Sequence, residues 1–222
     1  YTVGDYGFEM PTDGSCSAGE NRLMLSVHYY DPWDYCGTEN IKTYLWGEKG
    51  DELVSAGLNQ KAVASWGRED YLDEQFQTLK EQYVDKQIPV IIGEYGAIDK
   101  STADSNHVGE IQSNRVYFNG YVAGAAASRG IIPVYWDNGA NSVYGFGVFD
   151  RKTYEQTQPE IISTIIKAVM GLLGNEGMVT EGDIWYKGKN VVDMQEKELR
   201  TLLGPEIAMI FQDSGAALCP IR

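Results

Sequence analysis

Cysteine, histidine and positive charge are all scarce in this sequence. Its 222 residues include 3 cysteines and 2 histidines. Cys16, Cys36 and Cys219 are too few and too scattered for a disulfide framework or a tetrahedral zinc site. We therefore expect no metal bound through cysteine, and whether Cys16 pairs with Cys36 stays open because both are predicted to lie in loops of unknown separation.

The shortage of positive charge excludes other classes of protein. Eighteen lysines and arginines oppose 32 acidic residues, which gives a net charge of −14 and no basic stripe for nucleic acid. No apolar run approaches the roughly 18 to 20 residues that a membrane span needs, and the N-terminus lacks the basic-then-apolar order of a signal peptide. We expect no nucleic-acid or membrane partner and no signal peptide. With 43% apolar and 23% charged residues, the composition is that of a globular domain.

Three short apolar runs are present, and each is followed by polar and aromatic residues. They span residues 23–27, 88–92 and 131–134. Continuous runs of this length are typical of strands buried on both faces, as in parallel sheets. Helical spacing of apolar residues separates and follows them, beginning near Leu72, Ile111 and Pro159, with Gly130 as a helix stop.

This order predicts an α/β fold with a parallel sheet, either doubly wound or closed as a barrel. The ends of the three runs favour the barrel, because a (β/α)8 barrel carries its active site at the carboxyl ends of its strands and no glycine-rich phosphate turn follows any run. A complete barrel needs eight units and about 250 residues. Since three units are visible, we expect the chain to begin in the middle of a fold.

Glu94 is the strongest candidate for chemistry. It follows an apolar strand and lies between Gly93 and Gly96. A carboxylate at a barrel mouth is costly to bury unless it is functional or ion-paired, and a structural ion pair is the alternative here. His28 and Tyr30 alternate with period two, so both are expected on one face of their strand end, although a lone histidine is often an ordinary core residue.

Three aromatic residues complete the set of candidates. Trp136, at the third strand end, offers a flat platform for a sugar ring, but tryptophan also fills cores. Trp33 and Trp46 lie in the segment after the first strand, where each could line a cleft or simply pack within the loop.

The segments SVHYYDPWDYCG, PVIIGEYGA and VYWDNG, followed by GVFDR and PEII, closely resemble the C-terminal part of family 5 glycoside hydrolases. The resemblance covers residues 1–168 and is greatest to the endoglucanase and xyloglucanase-like branch. It implies that the chain holds strands six to eight of a (β/α)8 TIM barrel. It also implies an enzyme that cleaves a β-1,4-linked glucan or a related plant polysaccharide, needs no cofactor, and is secreted or on the cell surface in the parent family.

The resemblance assigns roles to individual residues. Glu94 matches the nucleophile, while His28 and Tyr30 match the pair that orients the nucleophile and the sugar. Trp136 matches the platform beneath that sugar, and Asn138, Trp33 and Trp46 are expected to contact substrate. A retaining glycosidase also needs a second carboxyl group, roughly 5 to 5.5 Å from the first, as acid and base. The family takes that glutamate from an earlier strand, and the corresponding Asn-Glu-Pro motif does not occur in this sequence.

The composition changes from about residue 169. The stretch 169–222 resembles part of the ATP-binding subunit of an oligopeptide-type ABC transporter, with Gln212 matching the family's glutamine that contacts Mg²⁺ and water. The segment has no GxxxxGKS/T phosphate loop. We therefore interpret it as a fragment of an unrelated coding sequence rather than an independent domain.

Three hypotheses follow from the sequence. The first is a retaining endo-β-1,4-glucanase portion whose missing strands come from a complementing N-terminal part or from self-association. The second is an incomplete fragment or chimera that binds glycan only weakly. The third is an ATP-binding module represented by the tail. A three-stranded remnant leaves a bare apolar sheet face, so we expect association with another chain.

Overall fold

The computed structural model describes Met10, residues 23–169 and the backbone of two short segments, Trp185–Tyr186 and Lys189–Asn190. Cys16, Cys219, Gln212 and nearly all of the predicted tail lie outside the described residues. None of the helices among the described residues is long and apolar enough to cross a membrane.

Three parallel strands form the centre of the fold. They are β1 (Leu25–Tyr29), β2 (Val90–Tyr95) and β3 (Ile131–Tyr135), hydrogen-bonded in the order β1-β2-β3. The predicted parallel sheet is therefore confirmed. The first two strands begin and end later along the chain than the apolar runs predicted. They end later because their last residues, which are polar or aromatic, still pair through the backbone, as His28 pairs with Glu94.

Helices connect the strands and follow the last of them. They are α1 (Trp33–Cys36), α2 (Gly47–Ser55), α3 (Glu69–Gln82), α4 (Val108–Ser128) and α5 (Pro159–Val169). Short 3₁₀ turns occur at Gln60–Ala62, Val84–Lys86 and Ser101–Ala103. The three predicted helices are confirmed as α3, α4 and α5. The short α1 and α2, in the segment after β1, were not predicted. A separate antiparallel pair is formed by β4 (Trp185–Tyr186) and β5 (Lys189–Asn190).

Helix α3 illustrates how the sequence produces an element and packs it. Leu72, Phe76 and Leu79 recur on one face and are buried in the core. Glu69 and Asp70 occupy the first turn, where carboxylates interact favourably with the helix dipole. The buried faces of α3 and α4 cover the same side of the sheet, where they pack against strand residues that include Val90, Ile92 and Ile131.

The other side of the sheet is open within the part of the chain that the structure describes. On β3 the side chain of Ile131 is 1% exposed, whereas its neighbour Ile132 is 50% exposed and Val134 is 40% exposed. The prediction that the strands are buried on both faces is therefore wrong for β3. Among the described residues, the predicted bare apolar face is confirmed for β3, because alternation turns every second residue of that strand away from the helices.

The two faces can be compared by truncating adjacent residues of β3. We expect Ile131→Ala to lower the free energy of unfolding by about 2 to 5 kcal/mol, since it leaves a cavity in the core. Ile132→Ala, the matched control, should cost less than about 1 kcal/mol because its side chain is already half exposed. Chemical denaturation of both variants, at a protein concentration low enough for the chain to be monomeric, measures the difference. Equal losses would contradict an open face.

Candidate active site

The carboxyl ends of β1 and β2 bring one carboxylate, one imidazole and one phenol together. The hydroxyl of Tyr30 donates a hydrogen bond of 3.1 Å to Oε2 of Glu94, and Nδ1 of His28 lies 3.3 Å from the same oxygen. The Glu94 side chain is 28% exposed, so it is partly shielded and still open to a ligand. Both contacts come from β1 or the residue that follows it, as the shared face predicted.

A local irregularity in β2 directs Glu94 towards these partners. Val27 pairs with Ile92, but His28 pairs with Glu94, so the register shifts by one residue and Gly93 is the extra one. Strict alternation from the buried Val90 would turn Glu94 towards the helices. The bulge reverses this and places the carboxylate on the open face, a common use of bulges beside functional sites.

Glycines allow the close packing around this carboxylate. A Cβ on Gly93 would lie 3.0 Å from Oγ of Ser26 and 3.5 Å from the His28 ring. Gly96 has a φ of +154°, and a Cβ there would lie 3.1 Å from the ring of Tyr135 and 3.2 Å from that of Phe146. The backbone on both sides of Glu94 is thus too crowded for a larger residue without movement.

Tyr30 lies among aromatic rings as well as beside the carboxylate. Its ring meets Trp33 edge to face, with 5.8 Å between centroids, and Phe146 at 5.9 Å. Burial, followed by the hydrogen bond to Glu94, raises the pKa of the Tyr30 phenol well above its usual range. The hydroxyl therefore remains protonated and able to donate to the carboxylate at any physiological pH.

Two tryptophans present their rings to solvent at the same end of the sheet. Trp136 follows β3 and is 41% exposed, and its backbone N–H donates to the carbonyl of Tyr95 at 2.9 Å. Trp33 is 55% exposed and lies across Gly37, where a Cβ would clash with the indole ring. Both residues are therefore available to a ligand.

Trp46 does not line this site, and the expectation that it contacts substrate is corrected. Its side chain is completely buried. The indole N–H donates to the carbonyl of Gly67 at 2.7 Å, and Asn114 bonds to both the backbone N–H and the carbonyl of Trp46 at 2.8 Å. Trp46 packs against the rings of Tyr117 and Phe118. Trp46 is therefore a packing residue, as the second alternative from the sequence held, but its aromatic partners lie on α4 and not within its own loop.

Asn138 organises the loop after β3. Its Oδ1 accepts the backbone N–H groups of Ala140 at 3.0 Å and Phe146 at 3.1 Å. The neighbouring Asp137 accepts the N–H groups of Gly139 and Val148 at 2.6 and 3.0 Å. Because the carbonyl oxygen of Asn138 is engaged within the loop, only its amide N–H groups are left to contact substrate.

Sequence reasoning missed several residues that fix these loops. Arg115 on α4 is buried, and it donates through Nε to the carbonyl of Ala97 at 2.8 Å and through Nη2 to that of Gly145 at 3.2 Å. Lys100 is also buried and donates to the carbonyls of Asp34 and Thr43 at 2.6 and 2.8 Å. Desolvation lowers the pKa of Lys100 to about 8. A charged residue among the apolar positions of a helix is the signal that could have found Arg115, whereas Lys100 lies in a loop where no such pattern exists.

The arrangement can support nucleophilic chemistry by a carboxylate beside an aromatic platform. Tyr30 and His28 hold one carboxylate oxygen, so the other is available to attack an electrophilic carbon. No group of three or more His, Cys, Asp or Glu residues suited to a metal ion occurs among the described residues.

Comparison with known proteins places most of the chain in one group. The sequence profile of the cellulase family, glycosyl hydrolase family 5, matches residues 4–142. Endoglucanase A of Paenibacillus barcinonensis is 39% identical over 173 residues, which are 76% of this chain and 40% of that protein.

Solved structures agree with the sequence comparison. A family 5 xyloglucanase from Paenibacillus pabuli superposes with a TM-score of 0.67 at 38% identity, over 76% of this chain and 45% of that one. A GH5-4 broad-specificity endoglucanase from Bacteroides salanitronis gives a TM-score of 0.60 at 31% identity, over 74% and 40% of the two chains. The chain thus spans less than half the length of these relatives.

A second, shorter similarity comes from a different class of protein. The dipeptide transport ATP-binding protein DppD of Lactococcus lactis is 40% identical over 58 residues, which are 26% of this chain and 17% of that protein. This match is partial and leaves the main assignment unchanged. On the sequence profile, the curated relative and the superposed structures together, the chain belongs to glycosyl hydrolase family 5 and its domain is of the glycoside hydrolase type.

Proposed function

We propose that this chain is the catalytic portion of a retaining endo-β-1,4-glucanase in which Glu94 is the nucleophile. The observation that carries the proposal is the contact of the Tyr30 hydroxyl and the His28 ring with one oxygen of Glu94 at the carboxyl end of a parallel sheet. Trp136, exposed at the end of the adjacent strand, would support the sugar whose bond is cleaved.

The chemistry accounts for the types of residue at the site. The free oxygen of Glu94 attacks the anomeric carbon, and the bond from that carbon to the leaving oxygen breaks, which gives a glycosyl ester. Water then cleaves the ester and releases the sugar. Tyr30 and His28 fix the orientation of the carboxylate, so that less freedom is lost when the transition state forms. Protonation of the leaving oxygen requires a second carboxylic acid, and we propose that it comes from barrel units outside this chain.

The substrate we propose is a β-1,4-linked glucan or a related plant polysaccharide. The xyloglucanase and endoglucanases similar to this chain support that class. Exposed aromatic faces at Trp33 and Trp136 suit the apolar faces of successive sugar rings, and their spread across two strand ends favours an extended chain over a single sugar. We also propose that the protein acts outside the cell, where such polysaccharides occur.

A substrate with a good leaving group tests the nucleophile without an external acid. 2,4-Dinitrophenyl β-cellobioside releases a phenolate that needs no protonation, so we expect the chain to cleave it slowly. Glu94→Gln should reduce the rate at least about 10³-fold, since the nucleophile is lost. Glu81→Gln is the matched control on α3 and should change it less than about twofold. Activity that survives Glu94→Gln would refute the assignment.

We propose that residues 1–168 supply strands six to eight of a barrel, and that further units cover the open face of the sheet. The exposed side chains of Ile132 and Val134 support this, since a few hundred Å² of bare apolar surface costs several kcal/mol. A complementing N-terminal portion would provide both the cover and the missing acid. A second copy of this chain would provide the cover alone.

Association should depend on that face. We expect the weight-average molar mass of the isolated chain, measured by sedimentation equilibrium, to rise with protein concentration. In Ile132→Asp it should fall towards the mass of the monomer, because burying a charge in the interface is costly. Val108→Asp, on the exposed first turn of α4, is the control and should leave association unchanged. A monomeric, cooperatively melting chain at every concentration would contradict the proposal.

For residues 169–222 we propose a fragment without ATPase activity, joined to the hydrolase portion within the helix that begins at Pro159. The short match to a transport ATP-binding protein supports its origin. The absence of a GxxxxGKS/T motif in the sequence supports its inactivity, since no phosphate-binding loop is supplied. Millimolar Mg-ATP should leave the melting temperature of the chain unchanged, and a clear rise would favour the ATP-binding hypothesis instead.

A further inference from the structure

We propose that Phe146, in the loop after β3, is a positioning residue that holds the Tyr30 hydroxyl against Glu94. The inference rests on the proposed function, because it concerns the efficiency of the same nucleophile. It adds a residue that lies in neither of the strands that carry the carboxylate and its partners.

The ring of Phe146 contacts the Tyr30 ring directly. Their centroids lie 5.9 Å apart at an interplanar angle of 69°, and the Trp33 ring meets Tyr30 at 5.8 Å and 89°. Edge-to-face pairs of this kind have a preferred geometry and therefore restrain rotation of the ring. Phe146 also packs close to Gly96, two residues beyond Glu94.

The backbone of Phe146 is fixed from several directions. Its N–H donates to Oδ1 of Asn138 at 3.1 Å, and its carbonyl accepts the Tyr135 hydroxyl at 2.7 Å. The preceding carbonyl, that of Gly145, accepts Nη2 of the buried Arg115. A residue whose backbone is held in this way keeps its ring in a defined place, and close packing lets that ring restrict the movement of Tyr30.

The consequence concerns a single hydrogen bond. The Tyr30 hydroxyl must stay within about 3 Å of the carboxylate to stabilise its charge and orientation. Without the Phe146 ring, Tyr30 gains room to rotate towards the loop, and Glu94 loses its donor for part of the time. The sugar-binding surface formed by Trp136 does not depend on this contact. We therefore expect the chemical step to suffer while ligand binding is retained.

The test uses the full chain and 2,4-dinitrophenyl 2-deoxy-2-fluoro-β-cellobioside, whose covalent adduct is followed by intact mass spectrometry. We expect Phe146→Ala to lower the maximal rate of adduct formation about tenfold, the size of effect that loss of a charged hydrogen bond gives. The probe concentration at half-maximal rate should change less than about twofold. Phe149→Ala, an exposed phenylalanine of the same loop, is the matched control and should have no effect.

A double-mutant cycle separates positioning from simple loss of structure. If Phe146 acts through the Tyr30 hydroxyl, Phe146→Ala should slow the reaction less than about twofold in a Tyr30→Phe background. Phe146→Tyr keeps the ring and should restore most of the rate. Equal tenfold losses in both backgrounds, or a loss confined to binding, would overturn the inference.

One readout does not require catalysis. In the chain labelled with ¹³Cζ-tyrosine, the Tyr30 resonance, assigned with Tyr30→Phe, should move towards the solvent-exposed position in Phe146→Ala and stay in place in Phe149→Ala. An unmoved resonance would overturn the inference even if the wild-type chain does not react. Failure of the wild-type chain to form an adduct, together with a moved resonance, would refute the proposed function and leave the positioning contact established.

Discussion

The candidate site depends on one interaction, the hydrogen bond that Tyr30 donates to the carboxylate of Glu94. A partly buried carboxylate is unstable without polar partners, and the site supplies the donating phenol of Tyr30 together with the nearby imidazole of His28. Both partners belong to β1 or to the residue that follows it, whereas the carboxylate belongs to β2. Parallel pairing of these two strands is therefore the condition for the site to exist.

Buried polar residues on α4 and in the loops fix the segments that follow the paired strands. Asn114 fixes the backbone at Trp46, Arg115 joins the segment after β2 to the loop after β3, and Lys100 joins it to the segment after β1. In each case a side chain bonds to backbone groups of a segment distant in the chain and so links the two segments. These buried side chains thus fix the loops at the carboxyl end of the sheet. The exposed rings of Trp33 and Trp136 at that end can therefore keep defined positions.

The sequence predicted the scaffold better than the details of the site. Apolar runs and helical spacing identified three strands and three helices, because burial imposes periodicities that can be read directly. The first two strands end later than predicted, since polar residues such as His28 continue the backbone pairing. Alternation on β1 predicted only that His28 and Tyr30 share a face, and the family resemblance implied that they orient Glu94. The bulge at Gly93 that aims Glu94 could not be predicted, because alternation on β2 alone points the other way.

Trp46 and Phe146 show that local sequence does not reveal which aromatic residues face the site. Trp33 and Trp46 lie in one segment and have the same chemistry, yet one is exposed and the other is completely buried. Their difference arises from tertiary packing against α4, which no local pattern encodes. Phe146 likewise reaches Tyr30 only through a loop closed by Asn138, Tyr135 and Arg115. Local sequence specifies elements, whereas long-range contacts decide which aromatic residues face a ligand.

The position of the covalent sugar on the chain identifies the nucleophile directly. After reaction of the full chain with the 2-fluoro cellobioside, proteolysis and tandem mass spectrometry locate the modified residue. We expect a single glycosyl ester on Glu94, within the peptide that contains β2. An ester on any other carboxylate, with Glu94 unmodified, would contradict this assignment.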